Sequence, residues 1–232
     1  MSVITARGDQ AKENANKGKI DTKKIYLRLK DNQAHKVRVL GVKDYVEYNA
    51  SGDYNLGIYN QPVAESSPLL VAHAKGGEKF KGLYKKQRYT FVFGSIETGE
   101  LVAIDVSKNQ AKTLISGIEE YAENIKDIAF NLKRTGADTS TSYGLNPILK
   151  MKPEDKVNFD KFEGVTVEPE FFDDILQPKD DKFLAKLLNE AGFDVATHLP
   201  HIQLDEEEAG QKEPDTSSEK VEDTDESILD NI

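Results

Sequence analysis

Lys85, Lys86 and Arg88 stand among Tyr84, Tyr89, Phe91 and Phe93 in the stretch GLYKKQRYTFVFG, residues 82–94. Cations hold phosphate and aromatic faces stack on bases, so this mixture is what a surface for single-stranded nucleic acid requires. The stretch also reads as a half-buried strand. Alternation puts Tyr89, Phe91 and Phe93 on one face and Arg88, Thr90 and Val92 on the other, and three aromatics in register make a core face. The mixture recurs elsewhere: Arg28 and Arg38 near the start, Tyr45, Tyr48, Tyr54 and Tyr59 in a tyrosine-rich segment, and Lys133, Arg134 and Tyr143 later on. Tryptophan is absent, so tyrosine would have to stack.

Other chemistries find less support. The four histidines, His35, His73, His198 and His201, are scattered, and the i,i+3 pair His198/His201 is split by a Leu-Pro that breaks a helix. Asp173-Asp174 and Asp180-Asp181 read as helix-starting acids rather than metal ligands. Cysteine is absent, which excludes disulfides, thiolate zinc ligands and thiol catalysis and suits a reducing compartment. No nucleophile elbow, P-loop or dinucleotide fingerprint occurs. The residues therefore point away from an enzyme and toward a binding protein without a cofactor.

The elements that would position these side chains follow from periodicity. Residues 1–22 lack hydrophobic period and read as a flexible basic arm. KKIYLRLK (23–30) and KVRVLGV (36–42) alternate like two strands of a hairpin. YVEYNASGDYNLGIY (45–59) reads as two strands around a turn at Ser51-Gly52-Asp53. Residues 62–81, with two prolines and a Gly-Gly, read as a long connection. The opening strand and LVAIDV (101–106) form a hairpin through IETGE (96–100), and Ser107 with Gln110 has capping-box spacing ahead of a helix ending near Asn124. Ala111, Leu114, Ile115, Ile118, Tyr121 and Ala122 are that helix's apolar stripe. Residues 127–136 and 140–149 make a last hairpin. This order suits a mainly β chain with helices, an OB-like Greek-key barrel over 23–150, with another α+β sandwich as the alternative. Residues 151–204 read as a helical appendage packed on the barrel.

Charge divides the chain further. The net charge of -10 lies entirely in residues 205–232, with twelve acids and two lysines, while residues 1–45 hold eleven Lys/Arg against five Asp/Glu. The tail reads as disordered and acidic, and its end, with Asp225, Glu226, Ile228, Leu229, Asp230 and Ile232, offers apolar groups among acids as a docking motif would. No apolar run approaches the roughly 18 residues of a membrane span and no signal-peptide core opens the chain, so a soluble protein that stays where it is made is expected.

Three segments together, LRLKDNQAHKVRVLGV, LYKKQRYTFVFGSIETGELVAIDVSKNQAKTLI and FNLKRTGADTSTSYGLNPI, resemble the single-stranded-DNA-binding proteins of tailed bacteriophages over residues 23–150. The resemblance implies an OB-fold protein of the host cytoplasm that coats DNA strands during phage replication, recombination or repair. It implies DNA contacts at Tyr84, Lys85, Lys86, Arg88, Lys133, Arg134 and Tyr143. It also implies an acidic tail that regulates DNA access and recruits a polymerase, helicase, primase or recombinase. Several members of that family carry a Cys/His zinc site between the tyrosine segment and the LYKKQRY strand. Here that loop is PVAESSPLLVAHAKGG, with His73 and no cysteine, so no zinc is expected. Within the opening strand, Tyr89, Phe91 and Phe93 are then expected to fill the barrel, and Tyr84, Lys86 and Arg88 to face DNA. The rival readings are a scaffold acting through its tail alone and an acidic mimic of DNA; the neutral body argues against the mimic.

Overall fold

The computed structural model describes residues 7–8, 20–137 and 140–204. Seven strands form one antiparallel sheet: β1 (Ala34–Val39), β2 (Tyr45–Asp53), β3 (Ile58–Pro62), β4 (Lys86–Ser95), β5 (Leu101–Ser107), β6 (Ala129–Thr135) and β7 (Ser142–Pro147). Their order is β3-β2-β4-β1-β6-β7, with β5 also paired to β4. β4 is the hub. Its residues from Lys86 to Phe91 pair with β2, those from Phe93 to Ser95 pair with β1, and β5 runs along Arg88 to Gly94.

The helices are α1 (Thr22–Ile25), α2 (Pro68–Lys75), α3 (Lys108–Glu120), α4 (Pro153–Asp160), α5 (Pro169–Leu176), α6 (Asp181–Glu190) and α7 (Val195–His198). The expected capping box starts α3: Ser107 caps it, and the Gln110 amide oxygen accepts from the Ser107 amide at 2.9 Å. Ala111, Leu114 and Ile118 of its apolar stripe are buried against Val37, Phe91, Phe93, Ile104, Phe130 and Leu132 of the sheet. That cluster is the main core. The hairpins β4–β5 and β6–β7 form where the turn residues place them.

Four expectations are corrected. Residues 23–30 do not pair with β1; Asp21 caps the short α1, and Tyr26 and Leu27 then lie against Ala103 of β5. The polar turn after Lys30 lets β1 pair with the distant β4 and β6 instead. The turn of the tyrosine segment lies at Tyr54–Leu56 rather than Ser51–Asp53, and it closes through Gly57 at φ 70°, a left-handed conformation that glycine adopts without steric cost. The helix after Ser107 ends at Glu120, short of Asn124. Residues 62–81 are more than a connection: α2 and the 3-10 turn Glu78–Leu83 bury Leu69, Ala72, Phe80 and Leu83.

The C-terminal helices divide between two places. α4 and α5 cover one face of the sheet with Phe159, Phe162, Phe172 and Ile175, whereas α6 and α7 join α2 in a second small core around Leu184, Leu188, Phe193 and Leu199. α3 packs on both β5 and β7. Among the described residues no hydrogen-bonded ladder joins those two strands.

Candidate nucleic-acid interface

The register decides which side chains share a surface. Arg88, Thr90, Val92 and Gly94 of β4 lie on one face with Tyr48 and Val46 of β2, Asp105, Ala103 and Leu101 of β5, and Arg38 of β1. Phe91 and Phe93 are buried on the other, as their parity requires, and Tyr89 packs at the edge of that core. The face expected to remain open is largely closed. Thr90 and Val92 are buried, an ideal Cβ on Gly94 would stand 2.6 Å from the Phe162 ring, and α5 lies across Tyr26. Burial of four side chains, Phe159, Phe162, Phe172 and Ile175, at about 1.5–3 kcal/mol each fixes this cover by roughly 6–12 kcal/mol.

Arg38 lies under that cover at 3% exposure. Its Nη1 donates to the Phe159 carbonyl at 2.8 Å, Nη2 meets Glu163 at 3.3 Å, and the guanidinium stands 4.2 Å from the Phe159 ring centre. Arg38 therefore holds α4 and does not reach a ligand surface. Lys36 clips the same helix through Asp155 at 2.9 Å, and that bond raises the lysine pKa.

At the open end of the face, Arg88, Tyr48 and Asp105 form a polar knot. Arg88 donates from Nε and Nη2 to Asp105 Oδ2 at 3.1 and 2.8 Å, and the Tyr48 hydroxyl donates to Oδ1 at 3.1 Å. Burial, then the Asp105 charge, pushes the Tyr48 phenol far above its ordinary pKa, and burial pushes Tyr26 up to about 12. The sequence marked Asp105 faintly, as an acid on the parity of Leu101 and Ala103 in an apolar strand; Tyr48 and Arg88 were identified without it.

Tyr54 and Tyr59 are placed differently. Tyr54 opens the β2–β3 turn and Tyr59 lies just beyond it in β3, 59% and 56% exposed, with ring centres 6.1 Å apart at 67°. The turn carries a side-chain bond of its own, and its first strand approaches its second closely. Asp53 Oδ1 accepts from the Asn55 amide at 2.9 Å, and Gly52 lies so close to the Tyr59–Asn60 backbone that a Cβ would meet it at 2.6–2.7 Å. Lys86 donates to the Gly52 carbonyl at 3.1 Å and stands 4.8 Å from the Tyr84 ring centre, so Tyr84 already carries a cation on its face. His73 meets the Tyr84 ring at its edge and bonds the Lys81 carbonyl through Nδ1 at 3.0 Å. Lys85 is exposed and bridges to Glu65 at 2.8 Å.

The remaining candidates gather at the other end of the sheet. Arg134 donates to the Leu29 carbonyl at 2.9 Å and to Thr141 at 3.2 Å, tying the β6–β7 tip to the segment before β1. Tyr143 lies opposite it and packs against the main core. Arg28 is exposed and Lys133 half-buried. Asp225, Glu226, Ile228, Leu229, Asp230 and Ile232, with the rest of 205–232, lie outside the described residues, as does most of the 1–22 arm.

One cluster was not anticipated. Ser95 Oγ lies 2.8 Å from His35 Nε2, and His35 Nδ1 lies 3.2 Å from Glu97. With the proton on Nδ1, Ser95 donates to the ring and accepts from the Thr98 amide. The order Ser–His–Glu resembles a hydrolase relay, but Ser95 is fully buried, so a substrate cannot approach it. It fastens the β4–β5 turn to β1. Among the described residues no group of three or more His, Cys, Asp or Glu is gathered as a metal site would need, and no helix is long and apolar enough to cross a membrane.

No protein-family model matches this chain, and no curated protein is similar enough to it to count as a relative.

Proposed function

We propose that this chain binds single-stranded DNA without catalysis, as an OB-like protein of a phage replication, recombination or repair system acting in the host cytoplasm. The observation that carries the reading is the Tyr54/Tyr59 pair: two rings more than half exposed, on a turn anchored through Asp53, Gly52 and Lys86. An exposed aromatic pair offers bases π-faces on which to stack. Lys85, next to Lys86 in the chain, adds charge; its bridge to Glu65 is solvent-exposed, worth about 0–1 kcal/mol, and readily exchanged for a phosphate. Arg28 and Lys133 supply further charge at the far end of the sheet. Residues 205–232 act as the acidic competitor and partner hook, and the segments quoted above for their likeness to phage single-stranded-DNA-binding proteins favour this assignment.

The test is fluorescence anisotropy with labelled 30-mer single-stranded DNA, duplex DNA and RNA over a salt series, on the full chain and on one ending at Leu204. The reading expects salt-dependent preference for single-stranded DNA, tighter without the tail. Failure of both chains to bind any nucleic acid at low salt leaves the scaffold reading in its place.

A further inference from the structure

Asp105 stands where a polyanion-binding face should have no carboxylate. Three strands converge on it: Tyr48 from β2, Arg88 from β4, and Asp105 itself from β5. Both Arg88 bonds end on one oxygen, at 3.1 and 2.8 Å, and Tyr48 holds the other at 3.1 Å. The side chains are 16% and 25% exposed, so the ion pair is sheltered but open to solvent on one side. That shelter separates it from the Lys85–Glu65 bridge, whose partners are 45% and 73% exposed. Shielding from water strengthens a charge pair, so the Arg88 pair exchanges far less readily than the Lys85 pair.

We infer that Asp105 keeps Arg88 out of phosphate contact and thereby limits the chain's affinity for single-stranded polyphosphate. The inference rests on the binding reading above and concerns the open end of the β4 face, beside the cover of α4 and α5. A carboxylate against the guanidinium has the charge of one phosphate and removes one cation from those that would release counterions on binding. The limit is useful to a protein that must leave its strand, since each retained contact slows release.

The experiment compares the full chain with Asp105→Asn, Arg88→Ala and the double variant, using a labelled 30-mer of oligothymidylate from about 50 mM to 1 M salt. Asparagine keeps an acceptor for Tyr48, and thermal unfolding of each variant checks the fold. One added phosphate contact on a single strand steepens the log K–log salt slope by about 0.7, which over this 20-fold salt range is about 8-fold in affinity. Asp105→Asn is expected to show that steepening and a gain of about 8-fold at the low-salt end, vanishing toward 1 M. Arg88→Ala alone, which leaves the Asp105 carboxylate uncompensated, is expected to bind no tighter than the parent, and the double variant to lose the gain. Two results overturn the inference while leaving the binding reading intact: a folded Asp105→Asn that binds no tighter, or a folded double variant that keeps the whole gain and the steeper slope of Asp105→Asn. If no variant binds the oligonucleotide at low salt, the binding reading falls and this inference falls with it.

Discussion

Replacing Tyr54 and Tyr59 with alanine tests the surface where it is most exposed. Each ring keeps more than half of its area in water, so folding loses little by their removal. The expected change in thermal midpoint is only a few degrees, since surface substitutions away from special features stay within about 0.5 kcal/mol. Binding should respond on another scale. A stacked base is worth about 1–3 kcal/mol, so each single variant should weaken an oligonucleotide by about 5- to 150-fold. The rings are 6.1 Å apart and meet edge to face, so one supports the other and the double variant should fall short of the product of the singles. Stacking also has a signature that charge does not: the loss should be the same at every salt concentration, displacing the log K–log salt line without changing its slope. The assay is anisotropy with a 30-mer across salt, alongside thermal unfolding. A folded double variant that binds within twofold of the parent at all salt concentrations would refute the assignment of these rings to bases.

Two further outcomes concern the frame around the site. Arg38→Ala removes a charged hydrogen bond to the Phe159 carbonyl and the ring contact beneath it, together about 2–4 kcal/mol, or roughly 5–15 °C in thermal midpoint, with oligonucleotide affinity unchanged. Loss of binding at an unchanged midpoint would instead place Arg38 on the ligand. The second concerns His35, whose pKa burial lowers from 6.5 against the opposing pull of Glu97. The unfolded chain therefore binds this proton first. The His35 contribution is complete above about pH 6.5 and is lost as pH falls through the lower folded value. The thermal midpoint should drop on going from pH 7 toward 5, and His35→Gln should flatten that part of the curve; a midpoint that rises over the same interval contradicts the sign.

The local signals in the sequence were legible where one interaction decides the outcome. The Ser107/Gln110 capping box, the parity of Phe91 and Phe93, and the two later hairpins needed only short-range chemistry. What failed was long-range. LRLK alternates like a strand, yet its partner is a single point on β5 because β1 finds longer ladders with β4 and β6. Parity alone told which β4 residues are opposite the core, but not that Phe162 and Phe172, some seventy residues on, would cover them. The acceptors that hold Arg38 and Arg88, the Phe159 carbonyl, Glu163 and Asp105, lie on other elements and so leave no mark in the local sequence. Tyr54 and Tyr59 keep more than half their surface in water because Leu56 and Ile58, between them, are the side chains of this turn that pack into the second small core.

The cover of α4 and α5 also bears on where a strand can run. Opening it would forfeit roughly 6–12 kcal/mol of apolar burial and the Arg38 contacts besides. A nanomolar complex has only about 12 kcal/mol in all, so a ligand that displaced these helices would spend its whole affinity on doing so. A bound strand must therefore use what the cover leaves free. On the β4 side that is the Tyr54/Tyr59 turn with Lys85; across the sheet it is Arg28 and Lys133. These two margins lie on opposite sides of the hub, β2–β3 beyond one stretch of β4 and β6–β7 beyond β1. A ligand that touches both must span the sheet, whereas a short one can engage only the turn. Affinity should then rise steeply with oligonucleotide length until both margins are reached, and the loss caused by Tyr54→Ala should be proportionally largest for oligonucleotides too short to bridge them.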